Sequence, residues 1–136
     1  MTAKEFLSRY RWLNEKIDSE IEQAQRMREL ASAVSSSCGG GSGGTSDKVG
    51  NAVAKLVDLE SEINADIDKL VDLRREIETA IASVEDEKLQ TLLRLRYISC
   101  LTWEQIAEKT GYCRRNVLLL HGKAIQKFSL FFTINL

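Results

Sequence analysis

The fold is decided at residues 101–117, which read LTWEQIAEKTGYCRRNV. Thr102 is a favourable N-cap, and Gln105 three residues later completes a capping box, because each of the two side chains can bond the backbone N–H of the other residue. Gly111 stands where the chain leaves this helix, and glycine tolerates the left-handed backbone that such exits use. A second helix is predicted to begin after Cys113. The pattern therefore predicts two helices joined by a turn of about three or four residues, which is the helix-turn-helix geometry.

The first turn of this second helix carries Arg114, Arg115 and Asn116. In a helix-turn-helix that turn lies in the major groove of DNA, where arginine pairs with guanine and asparagine with adenine through two hydrogen bonds. Contacts to phosphates, which position a protein on DNA without reading its sequence, are expected from three lysines: Lys109, Lys123 and Lys127. The alternative interpretation is a stable helical corner whose basic edge is only solvated.

Charge is distributed unevenly along the chain, although the net charge is −1. Residues 86–128 carry eight Lys or Arg against four Asp or Glu, an excess of +4, whereas residues 47–85 carry five against ten, an excess of −5. The basic surplus therefore lies on the segment that would need to attract phosphates. An excess of this size permits nucleic-acid binding without requiring it.

Two long amphipathic segments precede residues 101–117, and the chain contains no proline to interrupt them. From Phe6 to Val34 the apolar residues advance 28 positions in eight steps, and from Val49 to Val84 they advance 35 positions in ten steps, a mean step of 3.5 in both segments. Such a repeat keeps an apolar stripe on one helix face, so each segment needs a partner helix of similar length.

The predicted fold is therefore all-α. Residues 1–84 are expected to form a long antiparallel helical hairpin, a coiled coil, with a flexible Gly/Ser linker at residues 35–46. A C-terminal helix-turn-helix follows at residues 85–128, and the apolar tail at residues 129–136 either continues the last helix, forms an extended piece or docks on a partner. The linker is longer than a tight turn requires, so exchange of helices between protomers into a dimer or larger bundle is an open alternative.

The segment TWEQIAEKTGYCRRNVLLLHGKAIQKF, residues 102–128, resembles region four of bacterial sigma factors, which reads the −35 promoter element. Long helices followed by this segment also resemble late transcription regulators of the ArpU and RinA type from phages of Gram-positive bacteria. The resemblance implies a phage- or prophage-encoded protein that binds double-stranded DNA sequence-specifically and regulates transcription. It also implies that the long helices dock RNA polymerase or set a homo-oligomeric state.

One departure from the sigma pattern favours a different function. Leu118 and Leu119 stand where that family usually keeps basic or polar residues. Either one leucine packs in the core and the tail covers the other, or the two form a protein interface. The competing hypothesis is therefore a protein-interaction adaptor, for example one that binds RNA polymerase through the coiled coil and does not read DNA.

Several classes of function find no support in the sequence. No apolar run approaches the ~20 residues that span a bilayer, so we expect a cytoplasmic protein of a bacterial host and no membrane partner. No nucleophile stands beside a base, no glycine loop has the context of a phosphate site, and no metal-ligand spacing occurs. We therefore expect no catalytic residue, no cofactor and no metal. The single histidine, His121, is expected at a surface or half-buried helix position.

Overall fold

The computed structural model describes residues 1–37 and 44–134. Over these residues the chain forms five α-helices and one π-helical turn, in this order: α1 (Ala3–Ser37), α2 (Gly44–Ala82), α3 (Glu87–Leu93), the π-helical turn (Arg94–Ile98), α4 (Trp103–Thr110) and α5 (Arg114–Ile134). No strand occurs among the described residues, so the predicted all-α class is confirmed. None of the described helices is at once long enough and apolar enough to cross a membrane.

The predicted linker at residues 35–46 is helical at both of its ends. α1 runs through Ser37 and α2 begins at Gly44, while residues 38–43 lie outside the described residues. Serine and glycine are weak helix formers. Their inclusion here has a physical reason, because extending an existing helix by one residue costs less than starting a new one.

The described chain divides into two compact units, and one of them is Asn14–Lys69. In this unit Lys16 Nζ lies 3.2 Å from Asp66 Oδ2, and Arg28 Nη2 lies 2.5 Å from Glu60 Oε1. Since the partner numbers fall along α2 as they rise along α1, the two helices run antiparallel in this unit. Its buried apolar side chains come from both helices: Ile17, Ala24 and Ile63.

The other unit combines residues 1–13 with the chain from Leu70 onward. Its core draws apolar side chains from the start of α1, the end of α2, and α3 and α5. Phe6 stacks on Phe128 with ring centroids 6.2 Å apart, and Ile77 and Leu93 are both fully buried in the same cluster. This grouping differs from the division at residue 84 that the sequence predicts, because the last turns of α2 bury their apolar face in one core with α3 and α5.

Side chains form hydrogen bonds with the backbone in the connection between α2 and α3. The Asp86 carboxylate accepts a hydrogen bond of 2.9 Å from the backbone N–H of Lys88 and so caps α3. The Gln90 side-chain amide donates to the carbonyl of Val84, which is buried. After the π-helical turn, Cys100 takes a left-handed backbone with φ of 56°, which turns the chain toward α4.

The segment predicted as an apolar tail continues α5 through Ile134, and residues 135–136 lie outside the described residues. Phe132 is half-buried, and its ring centroid lies 5.3 Å from that of Phe6. Leu130 and Phe131 on the other side of the helix are 68% and 39% exposed. The tail therefore extends the core along one helix face, since Phe128 and Phe132 stand one turn apart.

Candidate nucleic-acid interface

The capping box at the start of α4 is present. Thr102 Oγ1 accepts a hydrogen bond of 3.2 Å from the N–H of Gln105, and Gln105 Oε1 accepts one of 2.9 Å from the N–H of Thr102. Two backbone donors that a helix N-terminus leaves unpaired are thereby satisfied. The sequence prediction for this helix start is confirmed.

The exit from α4 also follows the prediction. Gly111 has φ of 76°, in the left-handed region, and its N–H donates to the carbonyl of Ala107 at 2.9 Å. Any residue with a Cβ would be strained at this backbone conformation. α5 then begins directly, because the N–H of Val117 already donates to the carbonyl of Cys113 at 3.0 Å. We refer to residues 101–117 as the corner.

A small apolar cluster holds the corner together. Ile106 of α4 and Val117 of α5 are fully buried, and Leu92 of α3 is 4% exposed. Leu101, at the start of the corner, lies against the same cluster. Because Val117 stands in the first turn of α5, its burial determines which side of that turn faces the core and which side faces outward.

Two of the three residues predicted to read bases are exposed in this turn. Arg114 and Arg115 are exposed and Asn116 is half-buried. The three lysines predicted to contact phosphates are all exposed as well: Lys109, Lys123 and Lys127. Five of the six predicted side chains are therefore exposed on α4 and α5, and Asn116 is half-buried.

An acidic residue outside the predicted set contacts this surface. Glu104 Oε1, in the first turn of α4, lies 3.5 Å from Arg114 Nε, and both side chains are more than 60% exposed. An ion pair of this exposure stabilises the fold little. Its importance is that the Glu104 carboxylate competes with any anion for Arg114. An acidic residue at a helix start is common enough that sequence alone does not single it out.

A second unpredicted contact joins the π-helical turn to α4. The Arg96 guanidinium lies 4.1 Å from the centroid of the Trp103 ring, and its Nη1 donates to the carbonyl of Leu101 at 2.9 Å. A cation over an indole face is attracted by the negative face of the ring. Arg96 therefore contributes to the geometry of the corner rather than to its free basic surface.

His121 is half-buried, as predicted, and it contacts two aromatic residues. Its Nε2 lies 2.7 Å from the Tyr97 hydroxyl, and its ring meets Trp103 edge-on with centroids 4.6 Å apart. Burial, with smaller contributions from the charges of Lys4 and Arg96, lowers the pKa of His121 to about 4. The ring is therefore neutral at neutral pH and adds no positive charge to the surface.

Leu118 and Leu119 are 42% and 61% exposed. The interpretation that places one of them in the core is therefore wrong, and both remain candidates for a protein interface.

Across residues 1–37 and 44–134, no group of three or more His, Cys, Asp or Glu side chains is arranged to hold a metal ion.

Neither the curated proteins nor the solved structures contain a match to this chain. One protein family does match, over a range that begins near the end of α1 and includes α2, α3, α4 and most of α5. The corner and its six candidate residues lie inside this range. The chain belongs to the family described as Protein of unknown function (DUF1492), whose sequence model matches residues 30–129.

Proposed function

We propose that this protein, of phage or prophage origin, binds double-stranded DNA sequence-specifically and regulates transcription through its corner. The observation that carries the proposal is the orientation of the first turn of α5. Val117 is fully buried in one cluster with Ile106, while Arg114 and Arg115 of the same turn are exposed. A first helical turn held in this way can present donors to base edges in a major groove.

Within this proposal the six residues have two roles. Arg114, Arg115 and Asn116 read bases, and each well-placed bidentate contact contributes about 1–3 kcal/mol of discrimination. The three lysines contact phosphates, and three such contacts correspond to a slope of about −3 in log K against log salt. Because so few contacts give weak binding, joining of two or more copies through the long helices would raise the affinity by avidity. RNA polymerase is the protein partner that we propose for the same helices.

Fluorescence anisotropy with a labelled random duplex at several salt concentrations tests the proposal. Arg114→Glu/Arg115→Glu reverses two charges in the corner, and Lys55→Glu/Arg75→Glu reverses two exposed charges on α2 as the matched control. We expect the wild type and the control to bind with a steep salt dependence and the corner variant to lose binding. A folded wild type that fails to bind at low salt, or equal loss in both variants, would contradict the proposal.

The exposure of Leu118 and Leu119 favours a second candidate function, the protein-interaction adaptor. Two adjacent exposed leucines on α5 fit a protein partner better than a phosphate backbone. Under this hypothesis Leu118→Ser/Leu119→Ser abolishes binding to RNA polymerase, while Arg114→Glu/Arg115→Glu leaves it intact. Isothermal titration of both variants against purified polymerase separates the two functions.

A further inference from the structure

α2 carries an apolar stripe that the described residues leave about half exposed. Val53, Val57, Ile67 and Val71 are 46%, 57%, 38% and 51% exposed. Their spacings of four, ten and four residues keep them on one side of an α-helix. The stripe extends over ~27 Å at ~1.5 Å per residue. Four half-exposed aliphatic side chains in a row are more than the scattered apolar surface of a monomer requires.

This stripe is distinct from the face of α2 that already packs in the hairpin. Ile63 and Asp66 are buried at 7% and 6% exposure and mark the packed face. At about 100° per residue, the packed residues and the exposed stripe lie about a quarter turn apart around α2. A quarter turn is the separation expected when a helix contacts two neighbours in a four-helix bundle. The groove beside the stripe, about 250 Å³ in volume, is bordered by Ile63, Glu60, Asn64 and the α1 residue Ile21, which is 43% exposed.

The order of residues in the stripe is self-complementary about position 62. Val53 and Val71 are equidistant from that position, and so are Val57 and Ile67. If a second α2 runs antiparallel on a two-fold axis through this position, Val57 faces Ile67 of the second copy. An interface of this kind pairs the same surface on both copies, as a two-fold dimer requires.

The two polar residues inside the stripe select this orientation. Glu60 and Asn64 are also equidistant from position 62, so the antiparallel arrangement sets the Asn64 amide, a donor, against the Glu60 carboxylate of the second copy. Glu60 is already neutralised by Arg28 of its own chain at 2.5 Å. A parallel arrangement would instead set Glu60 against Glu60 and Asn64 against Asn64, so neither carboxylate would meet an amide donor of the second copy.

We propose that two copies of this chain dimerise through this stripe of α2, antiparallel and centred on position 62, so that two hairpins form a four-helix bundle. The proposal specifies the surface, orientation and register of the homo-oligomer, and it does not depend on DNA binding. A strip on one helix is smaller than the ~800 Å² per partner of a standard interface, so the dimer is reversible, with a dissociation constant in the micromolar range.

The test introduces opposite charges at positions that face each other across the two-fold axis. Sedimentation equilibrium of the full chain measures the dimer dissociation constant of each variant. Val57→Lys and Ile67→Glu each bury an unpaired charge in the interface, and each should weaken the dimer by at least about tenfold. Val57→Lys/Ile67→Glu together place the introduced charges opposite each other between copies, so the double variant should dimerise far better than either single variant. Within one chain the two positions are ~15 Å apart along α2, so they cannot pair there.

Two further samples complete the test. An equimolar mixture of the two single variants should form a heterodimer, and Glu62→Lys, at an exposed position on the side of α2 opposite the stripe, should dimerise as the wild type does. Far-UV circular dichroism confirms that every variant is helical, and because both substituted positions are exposed in the single chain, the monomer should remain folded. A wild type that stays monomeric up to about 100 µM, well above the expected range, overturns the proposal. Single variants that dimerise normally, or a double variant no better than the singles, overturn it as well.

Discussion

Replacing Val117 with alanine should destabilise the corner without changing its surface. Val117 is fully buried, so the substitution removes two methyl groups from the contact with Ile106 and Leu92. Removal of one buried methyl group costs about 0.5–1.5 kcal/mol, so two should cost about 1–3 kcal/mol. For a chain of this size each kcal/mol corresponds to a fall of about 3–6 °C in the midpoint of thermal unfolding.

The assay uses Trp103, which packs against this cluster, as the fluorescent reporter of unfolding in urea. Trp12 is 66% exposed, so a Trp12→Phe background removes the second indole at little cost in stability. Leu119→Ala, at a side chain 61% exposed, is the matched control and should stay within about 0.5 kcal/mol of the parent. If Val117→Ala were no more destabilising than Leu119→Ala, the packing that orients the first turn of α5 would be wrong.

Three further predictions follow from single contacts. Glu104→Gln frees Arg114 from its ion pair and should tighten DNA binding about two- to fivefold at low salt. That gain is equivalent to up to about 1 kcal/mol, the range for an exposed pair. An equal gain in Glu108→Gln, at another exposed position of α4, would show that only net charge matters. Thr102→Ala removes the capping hydroxyl and should cost about 1 kcal/mol in urea unfolding, and no loss would contradict the capping box. Burial, with the adjacent Asp66 carboxylate, raises the pKa of Glu20 above its usual 4.5. The folded chain therefore holds this proton more tightly than the unfolded chain, and the free energy of unfolding falls as the pH rises from 4.5 through the raised pKa. Glu20→Gln should therefore be more stable than wild type at neutral pH, and the gain should shrink as the pH falls toward 4.5; a gain that is constant with pH would refute this cause.

Much of the corner could be predicted because its determinants are local. The capping box joins residues three apart, and the left-handed exit depends on one glycine, so short sequence patterns contain both. The 3.5-residue repeat likewise predicted long helices, and α1 and α2 follow it. The same periodicity could not say which stretch of each helix belongs to which core, because a stripe specifies a face and not the partner that covers it.

The sequence by itself determined the all-α class and the start and exit of α4. Only the tertiary structure decided that Phe6 packs on Phe128, that Arg96 covers the Trp103 ring, and that Glu104 reaches Arg114. Hydrogen bonds within a turn depend on neighbours in sequence, whereas these contacts depend on how separate helices cross. Helix crossing is set by the packing of all the side chains between the helices, which no single stretch of sequence records.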